Sequence, residues 1–331
     1  MTDLANAPRL LVEAELRPVQ GERFQPTGFP SLGAATYQLH DGTEMLLVES
    51  AQSMANRLES AILEPGTVTP LPFLRGMPYV LVKQGEAALT SSLVEAHRLN
   101  SPYILEGTDK GLFERLKAEL GVVAEGGVDE SRLAAVLARY DIGALLHGIF
   151  LAKKELAGGR FRLRRAISAF IEARDVAPVI SGGVKNDHVN PSGETSTGFG
   201  NVPFSREEYT ASRITAYFNL DLAQIRSYRL PSELTQLLIL LGQWKIARVL
   251  EQGLRLRTAC DFEVARVTIT RPDGYALPTT QTLEPQIRDL LAKCKSHFAD
   301  PVVSEVRWTE GGSAKKAPKA KKGASQETGE S

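Results

Sequence analysis

Hydrophobic positions along the chain change period several times, and each change predicts an element. Leu10, Val12, Ala14 and Leu16 alternate within Arg9–Leu16 and predict a strand. The four apolar residues Met45–Val48 predict a short buried strand. The period then becomes helical. Ala51, Met54, Ala55, Leu58 and Ile62 share one face of a helix for which Ser50 can serve as N-cap. Its other face (Gln52, Ser53, Asn56, Arg57, Ser60) is neutral apart from the arginine. Tyr79–Lys83 predicts a strand, and Leu89–Arg98 with the sequence on to Tyr103 a short helix carrying His97 and Arg98. Leu112–Leu120 and Ser131–Arg139 predict two helices with a Gly-rich turn between them. Asp141–Ala152 is apolar throughout, and its period leaves helix and strand open.

Phe161 and Leu163 alternate with Arg160, Arg162 and Arg164, as in a strand with one wet basic face that can run on through Ile167, Ala169 and Ile171. Val179–Phe204 holds Gly182-Gly183, Asn190-Pro191 and Gly198-Phe199-Gly200, the composition of an extended loop or a projecting β-hairpin. Ala211–Ser227 reads as a strand region with a bulge about Asn219–Asp221. Pro231-Ser232-Glu233 opens a helix whose core face is Leu234, Leu237, Leu238, Leu241 and Trp244, and Gly253 suits its end. Leu254 and Leu256 alternate with Arg255 and Arg257. A strand at Ala265–Thr270, a Pro-Asp-Gly turn, a helix near Pro285–Phe298 and a strand at Val302–Trp308 follow. The remaining Gly, Lys, Ala, Ser and Glu composition predicts disorder. No internal repeat and no regular βαβ cadence emerge, so the expected fold class is α+β with long insertions.

A chain of 331 residues, 43% of them hydrophobic, can bury a large core in one large domain or two smaller ones. No apolar run approaches the roughly 20 residues of a membrane span. The N-terminal MTDLANAPRL lacks the regions of a signal peptide, so a cytoplasmic location is expected. The two cysteines, Cys260 and Cys294, lack metal-ligand spacing and fit a reducing compartment. Lysines and arginines number 39 and so do aspartates and glutamates. After Thr309, five lysines (315, 316, 319, 321 and 322) face three glutamates, which leaves the body at −2. A nucleic-acid site must therefore be a local patch. The most basic part of the body is 151–175, with seven Lys or Arg against three acids.

Candidate chemistry is sparse. The five histidines form no His-x-x-x-His pair and sit beside no carboxylate at ligand spacing, so neither a metal nor a cofactor is expected. His147 reads as a core residue. No Gly-Lys-Ser/Thr is present, and Gly198-Phe199-Gly200 does not open a long helix, which argues against nucleotide hydrolysis. A ribonuclease using His97 and the loop acid Asp187 stays open. Four basic elements with aromatic neighbours remain: Arg17/Arg23/Phe24, Gln52–Arg57, Arg160–Arg165 and Lys185–Phe204. Together they offer cations, backbone donors and rings, the means by which single-stranded RNA is held.

The stretches RPVQGERFQPTGFPSLGAATY, VESAQSMANRLE, EAHRLNSPYI, DIGALLHGIFLA with LRRAISAFIEARDV, and SGGVKNDHVNP ahead of FGNVPFSREEYTA and YFNLDL carry a resemblance. In this order, from about Leu10 to Val264, the chain resembles the CRISPR-associated RAMP superfamily, and within it the backbone subunit of the type I-G (formerly I-U) Cascade complex. The resemblance implies one hand-shaped domain over 1–308: a ferredoxin-like, RRM-related palm, a helical finger insertion at about 64–140 and a projecting thumb hairpin at about 178–206. A disordered Lys-rich tail would occupy 309–331. It implies a non-catalytic subunit that polymerises along the crRNA, grips its sugar–phosphate backbone and presents the guide bases to target DNA in antiviral defence. Its partners would be crRNA, target DNA, neighbouring copies of itself, and the large and crRNA-processing or capping subunits. The alternative within the superfamily is an endoribonuclease that cleaves pre-crRNA or target RNA. Matched residue by residue, the expected RNA-binding set is Arg17, Arg23, Phe24, Ser50, Gln52, Ser53, Asn56, Arg57, Arg164 and Arg165. Lys185, Val202 and Phe204 would lie on the thumb.

Overall fold

The computed structural model describes residues 4–29, 31–121 and 127–309. Strand β1 (Arg9–Pro18) buries Leu10, Val12, Ala14 and Leu16, the face expected from the period of two. After β2 (Thr36–Gln38), strand β3 (Glu44–Glu49) leads into α1 (Ala51–Ser60), where Met54, Ala55 and Leu58 are buried as the helical period requires. Strands β4 (Tyr79–Gln84) and β5 (Ala87–Ser91) form a hairpin. Helices α2 (Gly111–Leu120), α3 (Glu130–Tyr140) and the short α4 (Gly143–His147) follow, then a small hairpin of β6 (Ile149–Leu151) and β7 (Phe161–Leu163). Next come β8 (Ile167–Arg174), β9 (Ala177–Lys185), β10 (Val202–Thr210) and β11 (Arg213–Asp221). The chain ends through α5 (Leu222–Ser227), α6 (Ser232–Glu251), β12 (Leu254–Arg257), β13 (Cys260–Arg271), α7 (Thr280–Lys293) and β14 (Val303–Arg307).

Seven strands form the main sheet in the order β12-β13-β1-β11-β8-β3-β2, with every neighbouring pair antiparallel. Helices α1 and α6 cover the face built from the buried alternate positions. Leu237, Leu238 and Leu241 of α6 are buried, each contributing about 2 kcal/mol of transfer free energy. Gly242 lets that helix lie close on the sheet, because a Cβ there would stand 2.7 Å from Leu220 Cδ1.

Several expectations are corrected. The segment from Leu89 to Tyr103, expected to hold a short helix, is helical only at its end, in a 3₁₀ turn at Arg98–Asn100 and a short helix at Pro102–Leu105. Its first part pairs with β4, Thr90 donates to Glu95 at 2.6 Å and Ser91 to the Val68 carbonyl, so pairing and local side-chain bonds replace the helical ladder. The insertion expected to be helical is mixed, and β14 joins its sheet parallel to β4, from Val303 opposite Tyr79 to Arg307 opposite Lys83. The apolar stretch Asp141–Ala152 divides into α4 and β6 at Gly148, whose φ of +76° and contact with the Leu163 carbonyl exclude a side chain. The basic strand stops at Leu163, and β8 begins at Ile167. No bulge interrupts Asn219–Asp221, which pairs in register with Leu11–Arg9, and Asp221 caps α5 by accepting from the Gln224 amide at 2.9 Å. The Gly-rich stretch is a hairpin: β9 and β10 pair without a shift from Ala177 opposite Thr210 to Lys185 opposite Val202. The Lys-rich tail lies outside the described residues from Glu310 onward.

Candidate functional site

The site begins at the last residue of β3. Glu49 is 1% exposed, and a buried carboxylate is tolerated only when paired and hydrogen-bonded. It receives the Ser53 hydroxyl, the Arg57 guanidinium (3.4 Å from Nε) and the Arg257 guanidinium. Arg57 also donates to the Leu256 carbonyl at 2.7 Å, and Arg257 to the Gln25 carbonyl at 3.0 Å. One carboxylate thus fastens α1 to the edge strand β12. Partial burial lowers the Arg57 pKa from its ordinary value.

This hub sorts the residues expected on α1. Ser50 is the N-cap, accepting from the Ser53 amide at 3.2 Å. Ser53 and Arg57 turn toward Glu49. Arg57 is therefore corrected from an open phosphate cation to a structural tie, since its guanidinium is spent on a carboxylate and two carbonyls. Gln52 and Asn56 stay exposed, with Gln52 donating to Asn56 Oδ1 at 3.1 Å. Arg165 donates to Gln52 Oε1 at 2.5 Å, so the end of the β7–β8 connection meets the exposed side of α1. Arg164 beside it is exposed, and its carbonyl accepts from Gln224.

The loop after β1 divides in the same way. Arg17 is exposed and pairs with Glu263 at 2.5 Å, and Arg23 pairs with Glu208 at 3.3 Å. Phe24 is corrected: it is 1% exposed and meets Phe262 edge-on at 5.5 Å, so it offers no face to a base. Reciprocal 2.9 Å backbone bonds with Tyr209 draw it into the core.

Sequence reasoning named Arg23 and Arg57 but missed Arg206, Arg248, Arg255 and Arg257 around this hub. Three clefts adjoin along β12. One of about 440 Å³ holds Arg57, Ser60 and Arg248 beside the end of α6. One of about 350 Å³ holds Arg23, Arg255 and Arg257. One of about 600 Å³ at the base of the β9–β10 hairpin holds Arg257, Arg206 and Ser205. Glu22, Glu64, Glu207, Glu208 and Asp261 also line them, so the groove is mixed, with six arginines among five acids. Arg255 is exposed and, among the described residues, its side chain has no hydrogen-bond or ion-pair partner. The alternation of Leu254 and Leu256 with Arg255 and Arg257 was a legible signal. What lay beside that strand was not.

On the hairpin, Lys185 faces Val202, and Phe204 lies over Gly183, where a Cβ would stand 3.1 Å from the ring. Val202 and Phe204 are 40% and 47% exposed, and the Arg206 guanidinium sits 5.7 Å from the Phe204 ring. Lys185, Val202, Phe204 and Arg206 thus share one face leading down to the groove. At the tip, Asp187 accepts from the amides of Asn190, Gly200 and Val189 at 2.9–3.0 Å, which lowers its pKa and commits it to the turn. Among the described residues no group of three or more His, Cys, Asp or Glu could hold a metal ion, and no helix is long and apolar enough to cross a membrane.

The most perturbed side chains lie elsewhere, under α1. Burial raises Asp141 to about 7 and lowers Lys245 to about 7. It also holds the His147 pKa well down. The three border a void of about 20 Å³ together with Glu59 and Arg98, which pair with each other. Lys245 donates to the Leu58 carbonyl at 2.9 Å. This cluster ties Arg98, Asp141 and His147 to α1 and α6.

The sequence profile of the family described as CRISPR-associated protein GSU0053 matches residues 10–178, just over half of the chain. Similar solved structures include a chain of a CRISPR RNA-guided surveillance complex, pre-nicking, at 12% identity and a TM-score of 0.42, over 86% of this chain and 88% of that one. Another is Thermofilum pendens Csc2, at 11% identity and a TM-score of 0.31, over 87% and 76%. No curated protein matches the chain.

Proposed function

From the premise that the chain belongs to the CRISPR-associated GSU0053 family, we propose that it is the non-catalytic backbone subunit of a Cascade-type complex. In this reading it holds single-stranded guide RNA along the groove beside β12, and copies follow one another along the crRNA. The guide bases remain free to pair with target DNA, and the large and crRNA-processing subunits dock on the finished assembly. The observation that carries the reading is the free guanidinium of Arg255, with Arg23 and Arg206 lining the adjoining clefts between α1 and the hairpin and Gln52, Asn56 and Arg165 beside them. Arginine guanidinium groups suit phosphates, and the carboxylates among them suit exocyclic amines of bases. A ferredoxin-like palm is supported by the strand order β13-β1-β11-β8 with α6 leading from β11 toward β13, the hairpin would be the thumb, and the mixed insertion the finger.

Binding of a labelled single-stranded RNA across a salt series tests this. Replacing Arg255 and Arg206 by Ala should weaken binding and reduce the slope of log affinity against log salt by about 0.7 for each phosphate that is no longer neutralised. An unchanged slope would remove the groove from the RNA path. Site-specific cleavage of repeat RNA or guide-complementary RNA by the purified protein would favour the endoribonuclease instead.

A further inference from the structure

The face of the main sheet opposite α1 and α6 is built from the other alternate positions. One cross-strand row runs Thr268, Glu13, Tyr217, Phe170, and the next runs Arg266, Glu15, Thr215, Glu172. Phe170 and Tyr217 stack with centroids 5.1 Å apart, and Tyr37 reaches over from β2 to donate to Glu172 at 2.8 Å. Only Glu15 of these acids meets a cation on the face, Arg266 at 2.7 Å, and among the described residues Glu13 has no partner. At one end of the face Arg17 pairs with Glu263 and Arg174 with Asp41 and Asp175, while Arg213, opposite Arg174, is exposed and, among the described residues, unpaired, so the acidic part of the face is the middle, around Glu13 and Glu172. Rings flanked by carboxylates repel phosphates and receive cationic side chains.

The chain carries the complement. In the β6–β7 hairpin, Phe150 is 54% exposed and pairs across the strands with the exposed Arg162, and Lys154 is exposed in the connecting turn. Two different, complementary surfaces on one chain make a head-to-tail contact, which propagates rather than closes on a pair. We propose that the open sheet face docks the β6–β7 hairpin of a second copy, Arg162 and Lys154 entering between Glu13 and Glu172 beside the two stacked rings. Five strands about 4.8 Å apart and about five residues long present roughly 400 Å². A stable interface needs about 800 Å² from each partner. The contact is therefore weak and salt-sensitive between free copies, and it strengthens where copies are held on one strand, a step that rests on the RNA-binding function proposed above.

Sedimentation of the full chain at high micromolar concentration and low salt, with an RNA long enough for only one copy measured in parallel, tests the proposal. Glu13→Lys with Glu172→Lys, or Lys154→Glu with Arg162→Glu, should each weaken self-association at least tenfold. Mixing the two variants should restore it, because reversed charges match again. Affinity for the short RNA should stay within twofold in both. Wild-type protein that does not associate, reversals without effect, or a mixture that fails to restore association would overturn the proposal. So would loss of short-RNA affinity in the sheet variant, which would assign the face to nucleic acid. Failure of the RNA-binding reading looks different: no form binds the short RNA, yet association still follows the charges.

Discussion

Replacing Glu49 by Gln tests the hub on which the groove is built. Removing one partner of a buried ion pair costs about 3–5 kcal/mol when the remaining charge is stranded. Here the side chains of Arg57 and Arg257 keep 30% and 27% of their exposure, so water can take up part of the charge. The amide can still accept one of the bonds. A loss of about 2 kcal/mol is the expected balance. Unfolding entropy of about 2.1 cal/mol/K per residue over roughly 300 ordered residues gives about 0.6 kcal/mol per degree, so Tm should fall by about 3 °C. The RNA result should go the other way. The substitution removes a negative charge beneath the groove and loosens two guanidinium groups, so affinity for single-stranded RNA should hold or rise while stability drops. Differential scanning calorimetry and fluorescence anisotropy on the same preparation give both numbers. An unchanged Tm would show that the three-way contact contributes nothing. A fall in RNA affinity as large as that of the Arg255/Arg206 double variant would show that Glu49 mainly orients the guanidinium groups toward RNA.

Asp141→Asn should stabilise the protein increasingly as pH rises. The folded pKa of about 7 lies above the ordinary 3.8, so the fold favours the protonated acid, and that contribution is lost as pH climbs from about 4 to 7. A Tm advantage that is flat across that window would refute the assignment. Phe24→Ala should cost about 4 kcal/mol as a core truncation, with RNA affinity of the folded fraction unchanged; reduced affinity with stability intact would return the ring to the RNA path. Asp187→Ala should speed hydrogen exchange at the Val189, Asn190 and Gly200 amides and leave global unfolding unaltered, and unchanged exchange would remove its role in the turn.

Where burial is one-sided, the sequence was readable. The alternation in β1 and the stripe of α6 declare which side faces the core, because only one register buries the apolar set. The first part of the helix expected from Leu89 to Tyr103 failed because β4 supplied a partner that local propensity cannot represent. Gln52 and Asn56 stand exposed on the polar face of α1 as their spacing predicts, and the half-buried Arg165 meets Gln52, whereas Phe24 and Arg57 turn inward. An aromatic or a cation in a loop or on a helix face looks the same on paper whether it turns outward or inward. Arg57 turned inward because Glu49 needed it, and Glu49 itself gave no sign, being an acid at the end of a short apolar run. The arginines of β12 were visible as a pattern but had no meaning until α1 lay beside them.

The pairing of β14 with β4 imposes an order on biosynthesis. About 220 residues separate Gln84 from Val303, which at roughly 5–20 residues per second is a wait of some 10–40 s on the ribosome. Throughout that interval the nascent β4 has a bare flank of amides and carbonyls beside Val80 and Val82, a ready template for a wrong neighbour. A protein terminated before Val303 would keep that flank for life and should precipitate on heating well before the full-length chain does.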